Sequence, residues 1–149
     1  MKKFELRQLI REEISKVLNE ENIIIRRNIE RRKEQYLQQV NQQIQDYIKG
    51  GSQGDLDLYN IKITSLPNNL QVGGFLDLGI TKITSLPDNL QVGEDLYLYG
   101  TQITSLPDNL KVGGHLNLRK TPLSTKYSKD EIRKMIEDKG GDVKGDIHI

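Results

Sequence analysis
The chain has no cysteine, no tryptophan, four prolines and only eight Tyr and Phe side chains in 149 residues. Without thiols it can form neither disulfides nor thiolate metal sites, it offers no cysteine nucleophile, and nothing points to an oxidising compartment. No apolar run approaches the length needed to span a bilayer. The opening stretch, Met1 to Leu18, alternates charge with isolated apolar residues and has no unbroken apolar segment, unlike a secretory signal. These absences predict a soluble, cytoplasmic protein without membrane contact. Charge of one sign is also scarce. Residues 1–49 hold eleven Lys and Arg against eight Asp and Glu, and residues 50–149 hold eleven against thirteen, so neither half matches a nucleic-acid backbone.

What is present is repetition. Leu56 to Gly73, Leu76 to Gly93 and Leu96 to Gly113 each read L-x-L, then I-T-S-L-P, then N-L-x-V-G, on a strict period of 20 residues. A fixed period of this length means one small unit stacked on its neighbours. In each L-x-L the two leucines point one way and the central residue the other. Ile63/Ile83/Ile103, Leu66/Leu86/Leu106, Leu70/Leu90/Leu110 and Val72/Val92/Val112 add four more inward side chains per coil. Pro67, Pro87 and Pro107 lack an N–H and belong to turns on the side away from the strands, completed by Asn68, Asp88 or Asp108 and a following Asn. Gly73, Gly93 and Gly113 precede the strands, where re-entry needs either positive φ or a close backbone approach. The neighbouring glycine is replaced by Glu94 in the third copy and reads as less essential.

Over residues 53–123 this unit resembles a leucine-rich repeat of the short 20-residue kind found in bacterial and phage-encoded proteins. The resemblance implies an α/β repeat solenoid: short parallel β-strands stacked as an array with a concave strand face. Two positions depart from that family's pattern. Its asparagine is Ile61, Thr81, Thr101 or Thr121 here, so a hydroxyl must replace most of the amide ladder. The leucine three residues before L-x-L is Gln53, Gly73, Gly93 or Gly113.

Both flanks of the array read as helical. Leu6, Ile10, Ile14 and Val17/Leu18 recur at helical spacing and predict a helix over about 4–18, Asn19 to Asn22 breaks the rhythm, and a second helix is expected over about 23–48, ending at Gly50-Gly51. Residues 1–49 thus form a helical arm, 50–54 a Gly-rich linker, and 55–149 the repeat domain with a cap over 124–149. Within the second helix Leu37, Val40, Ile44 and Tyr47 follow the 3-4-3 spacing of a short coiled-coil seam. That stripe caps the array, folds into a hairpin with the first helix, or makes a homo-oligomer. Arg26, Arg27, Arg31, Arg32 and Lys33 are interleaved with Glu30 and Glu34, the pattern of a salt-bridged solvent face; weak nucleic-acid binding by this arm is the outlying alternative. After the array, Ser128-Lys-Asp-Glu131 reads as a capping box opening a helix with Ile132 and Met135/Ile136 inward, and Val143 to Ile149 repeats the strand pattern with isoleucines.

The positions that do not repeat are the candidates for function. Stacked in register, the outward rows bring together Asp57, Asp77, Tyr97, Asn117 and His148; Asp55, Phe75, Asp95, His115 and Asp146; and Tyr59, Gly79, Tyr99 and Arg119. Tyr59, Phe75, Tyr97 and Tyr99 are not needed by the core, and aromatics flanked by acids suit the centre of an interface; alternatively they stabilise the sheet or lie under the arm. Asp95 and Asp146 beside His115 would favour its protonated form. His115, His148 and Asp146 lack a third imidazole or thiolate, so no metal or cofactor is expected. There is no G-x-S-x-G elbow and no phosphate loop, and Asp57 and Asp77 lie on an open face where both should stay ionised, so catalysis is not expected. The composite expectation is a non-enzymatic module that binds a protein or peptide through Asp57, Tyr59, Phe75, Asp77, Tyr97, Tyr99, His115, Asn117 and Arg119. In this reading the arm oligomerises or anchors it. The segment Phe4 to Leu18 is also similar to N-terminal segments of phage proteins, which implies the alternative of a structural part of a virion, its arm inserted in a neighbouring subunit.

Overall fold
The computed structural model describes residues 3–68 and 70–149, with side chains of the first helix from Gln8 onward; Leu6 and Asn69 therefore lie outside the described side chains. Two compact units divide at Gln42/Gln43. The second, Gln43–Ile149, is a solenoid of parallel two-residue strands. One sheet stacks β1 (Leu56–Asp57), β3 (Leu76–Asp77), β5 (Leu96–Tyr97), β7 (Leu116–Asn117) and β9 (Ile147–His148), with Leu56, Leu76, Leu96, Leu116 and Ile147 in register. A second sheet, absent from the expectation, stacks β2 (Gln71–Val72), β4 (Gln91–Val92), β6 (Lys111–Val112) and β8 (Asp142–Val143). Each coil therefore turns one corner between two ladders.

The corner explains the recurring glycine. A Cβ at Gly93 or Gly113 would overlap the carbonyl oxygen of the glycine one coil earlier, Gly73 or Gly93. None of the three glycines has positive φ, so close approach is the cause. The inward set is buried as the pattern requires: Leu76, Leu78, Leu96, Leu98, Ile83 and Ile103 are completely covered. Thr81, Thr101 and Thr121 are buried too, and each hydroxyl donates to the carbonyl three residues back, Leu78, Leu98 or Leu118, at 2.7–2.8 Å. The hydroxyls therefore close turns within their own coils.

At the C-terminal end the chain makes a short helix, α2 (Pro122–Lys126), capped by Thr121, and then α3 (Lys129–Asp138) with the expected Ser128–Glu131 capping box. Ile132 and Ile136 are buried, Met135 only half so. Arg133 donates to the carbonyls of Val143 and Gly145 at 2.8 Å, fixing the helix to the last coil.

The arm differs from its expectation. A single helix, α1, runs Lys3–Lys49 without interruption at Asn19–Asn22. Two asparagines cost a helix a few tenths of a kcal/mol each, two glutamates favour it, and neither Gly nor Pro is present to stop it, so no break follows. The last two turns of α1, from Gln43, belong to the solenoid unit. Ile44 is buried there, and the Tyr47 hydroxyl donates to the carbonyls of Ser52 and Gly54 while accepting from the Gly73 amide. Residues 50–54 are not a free linker. Ser52 and Gly54 accept the amides of Gly73 and Gly74, so this stretch acts as the first partial coil.

Candidate partner-binding face
The five-stranded sheet gathers the residues singled out from the sequence, and its register places them as the period requires. Asp57 lies beside Asp77, Asp77 beside Tyr97, Tyr97 beside Asn117, and Asn117 beside His148. Many of these side chains have a local task. Asp57, Asp77 and Asn117 each accept the amide two residues ahead, from Tyr59, Gly79 and Arg119, at 2.8–3.1 Å, which shapes the exit of each strand. Tyr59 is exposed, and a Cβ at Gly79 would stand 2.9 Å from its ring, so Gly79 leaves room for that ring on the face.

The row Asp55, Phe75, Asp95, His115, Asp146 carries a rule that the repeat pattern concealed. The Asp55 carboxylate accepts the Phe75 amide at 3.0 Å, that of Asp95 accepts the His115 amide at 2.7 Å, and His115 Nδ1 accepts the Asp146 amide at 2.9 Å. Each acceptor reaches across the glycine of the following coil: a Cβ at Gly74 or Gly114 would overlap Asp55 Oδ1 or Asp95 Oδ1, and one at Gly145 would come within 2.8 Å of His115 Nδ1. Phe75 has no acceptor, and the next coil carries Glu94 in place of glycine. The glycine that reads as less essential in the sequence is therefore required wherever an acceptor sits one coil earlier. This pairing was legible in the sequence by reading across coils.

Electrostatics divide the face. Burial, the largest cause, pushes the Asp77 carboxyl above its ordinary range; the Gly79 amide pulls it down and the neighbouring Asp57 charge pushes it up. The His115 amide holds Asp95 below its ordinary value, and the Tyr97 hydroxyl, donating to Asp95 Oδ2 at 2.8 Å, lowers it further while being itself pushed up. His115 Nδ1 lies 4.0 Å from Asp146 Oδ2, but that nitrogen is occupied as an acceptor, which places the neutral ring's proton on Nε2.

At the centre, Phe75 and Tyr97 meet edge to face with centroids 6.2 Å apart. Both are half-buried, as is Tyr99, whose ring lies 4.9 Å from Lys120 Nζ. His115 and His148 stand 5.5 Å apart on the far side. Asp55, Asp57, Asp77 and Asp95 thus occupy the first three coils, Arg119 and Lys120 the fourth and Asp146 the fifth, with aromatics among them.

Of the residues expected in an oligomer seam, Ile44 and Tyr47 are engaged inside the solenoid unit; Val40 is buried and Leu37 half-buried. A concavity of about 550 Å³ runs along the glycine corner beside Gln71, Gln91 and Lys111 rather than over the aromatics. Its floor amides at Gly93 and Gly113 already donate to Val72 and Val92, leaving it no free backbone donor at those two coils. No helix among the described residues is long and apolar enough to cross a membrane. Comparison of the chain with protein-family models, with curated proteins and with solved structures finds no match.

Proposed function
We propose that the array is a non-enzymatic binding module of leucine-rich-repeat type that takes a protein segment on its five-stranded face. The observation that carries this reading is the half-exposed Phe75–Tyr97 pair on a face with carboxylates on the first three coils and Arg119 and Lys120 on the fourth. Side chains that the core does not use, grouped as rigid aromatic anchors between opposite charges, are what an interface centre needs. Asp57 and Asp77 lie side by side, and the partly buried Asp77 carboxylate is costly to ionise; a lysine or arginine from a partner would relieve both charges at once. The favoured ligand is therefore an extended segment with a cationic side chain over Asp57/Asp77 and an apolar one over Phe75/Tyr97.

Selection from a random peptide display library against the full chain tests this. Enriched peptides should carry Lys or Arg near an apolar anchor, and their binding should fall at least tenfold with Tyr97→Ala and with Asp77→Asn while the melting temperature stays within a few degrees. Peptides that bind those two variants as well as the parent chain, or no enrichment at all, would refute the reading.

A further inference from the structure
The arm carries an apolar stripe that the solenoid does not use. Leu18 and Ile25 are 54% and 55% exposed, Ile14 is 54% and Ile29 47%. Their spacing belongs to an 11-residue period: Ile14, Ile25, Tyr36 and Tyr47 form one line and Leu18, Ile29 and Val40 the next. Eleven residues make three turns at about 3.67 residues per turn, close to the free helix, so these two lines keep one side of α1 along its length with only a slight right-handed drift. At the C-terminal end Val40 is itself buried, and Tyr47, within the solenoid unit, bonds to the first coil. From Ile14 to Tyr36 it is open.

We propose that this stripe is the interface of a homodimer in which two α1 helices pack antiparallel, the two-fold axis falling between Leu18 and Ile25. The reading is independent of what the strand face binds. Two features select a second copy in this orientation. The intervals 14, 18, 25, 29 are four, seven and four, the same read from either end, so an antiparallel copy sets Ile14 against Ile29 and Leu18 against Ile25 in both halves at once. No such match requires the buried Val40. Charge gives the direction. Residues 8–22 carry Arg11 and Lys16 against Glu12, Glu13, Glu20 and Glu21, whereas residues 23–36 carry five basic side chains against Glu30 and Glu34. An antiparallel partner lays the acidic half on the basic half; a parallel one would set Arg31, Arg32 and Lys33 beside their own copies.

The absence of cysteine makes a clean test. Ile14 and Ile29 lie 15 residues apart, about 22 Å along a helix, too far for a bond within one chain or between identical positions of an antiparallel pair. Mild oxidation of Ile14→Cys/Ile29→Cys should give a covalent dimer, and neither single variant should. Light scattering of the parent chain at micromolar concentration should return twice the 17.1 kDa chain mass. Leu18→Glu/Ile25→Glu should return that mass once, with the melting of the solenoid unchanged. A monomeric parent chain overturns the proposal and assigns the stripe to another protein. Single variants that cross-link as well as the double one overturn the antiparallel orientation, and a higher mass overturns the dimer.

Discussion
The two units of this chain spend similar apolar side chains in opposite ways. In the solenoid every L-x-L leucine is at most 8% exposed, whereas in the arm Leu9, Ile10, Ile14, Leu18, Ile24 and Ile25 are each about half exposed or more. The difference follows from dimensionality. A coil stacked on another coil finds its core partner one period away in its own sequence, but an isolated helix has no second surface on which to bury its stripe. The solenoid should therefore set the stability of the chain, and the arm its association.

That division breaks most sharply at the glycine corner. Gly93→Val pushes side-chain carbons into the Gly73 carbonyl inside a continuous ladder, where backbone cannot yield without unstacking coils. It should cost about 3 kcal/mol or more, a fall of more than about 10 °C in the solenoid's thermal transition. Ile25→Glu in the arm should leave the same transition within about 0.5 kcal/mol. If calorimetry shows equal losses, the two units do not divide stability from association.

A second test sharpens the contrast within the solenoid. Gly114→Ala should destabilise by about 1–3 kcal/mol, because the new methyl meets the Asp95 carboxylate and the backbone behind it. Combining it with Asp95→Phe, which recreates the Phe75–Glu94 arrangement in part, should cost less than the sum of the two single changes, by a coupling of about 0.5 kcal/mol or more in urea unfolding. Strict additivity would mean that the glycine answers only to the backbone.

How far the sequence speaks depends on whether the signal is local or runs between coils. The L-x-L strands, the buried leucines, the Ser128 capping box and the last strand were legible because each is written within one unit. The second sheet was not: Gln71–Val72 and its copies offer one inward residue per strand where L-x-L offers two, so no alternation registers. The uninterrupted α1 was missed because a weak helix preference at Asn19 and Asn22 was read as a break. The arm's stripe was hidden by looking for a seven-residue repeat where an eleven-residue one holds. On the face, the register of the candidate residues was readable, but the local tasks of Asp57, Asp77 and Asn117 needed the strand exits to be seen.

Backbone strain offers a smaller effect, of the opposite sign. Asn60, Ile80, Gly100 and Lys120 occupy equivalent positions, all in the left-handed region, and Ile80 does so at φ 59° with a β-branched side chain that is 42% exposed. Ile80→Asn should stabilise the solenoid by about 1 kcal/mol, since Asn tolerates this conformation and little apolar burial is lost. A loss of stability in urea unfolding would mean that the packing of the Ile80 side chain beside Gly100 of the next coil outweighs the strain.

The smallest expected effect separates two carboxylates on one face. Asp77 has its folded value raised, so the folded chain binds that proton more tightly than the unfolded chain. Stability therefore falls as pH rises from below the unfolded value through the raised folded one, and stays reduced above it. Asn at this position keeps the acceptor for the Gly79 amide, as Asn117 does for Arg119, and removes the charge beside Asp57. Asp77→Asn should thus stabilise at pH 7 by no more than about 0.5 kcal/mol, since the group is largely solvent-screened, and the gain should vanish below pH ~3. Asp95 is the mirror case: its lowered value stabilises the fold above the unfolded value and is lost as pH falls through the folded one. Asp95→Asn should therefore destabilise at pH 7 and become neutral in acid. Urea unfolding at both pH values measures the pair, and two shifts of the same sign would show that the face is electrostatically uniform.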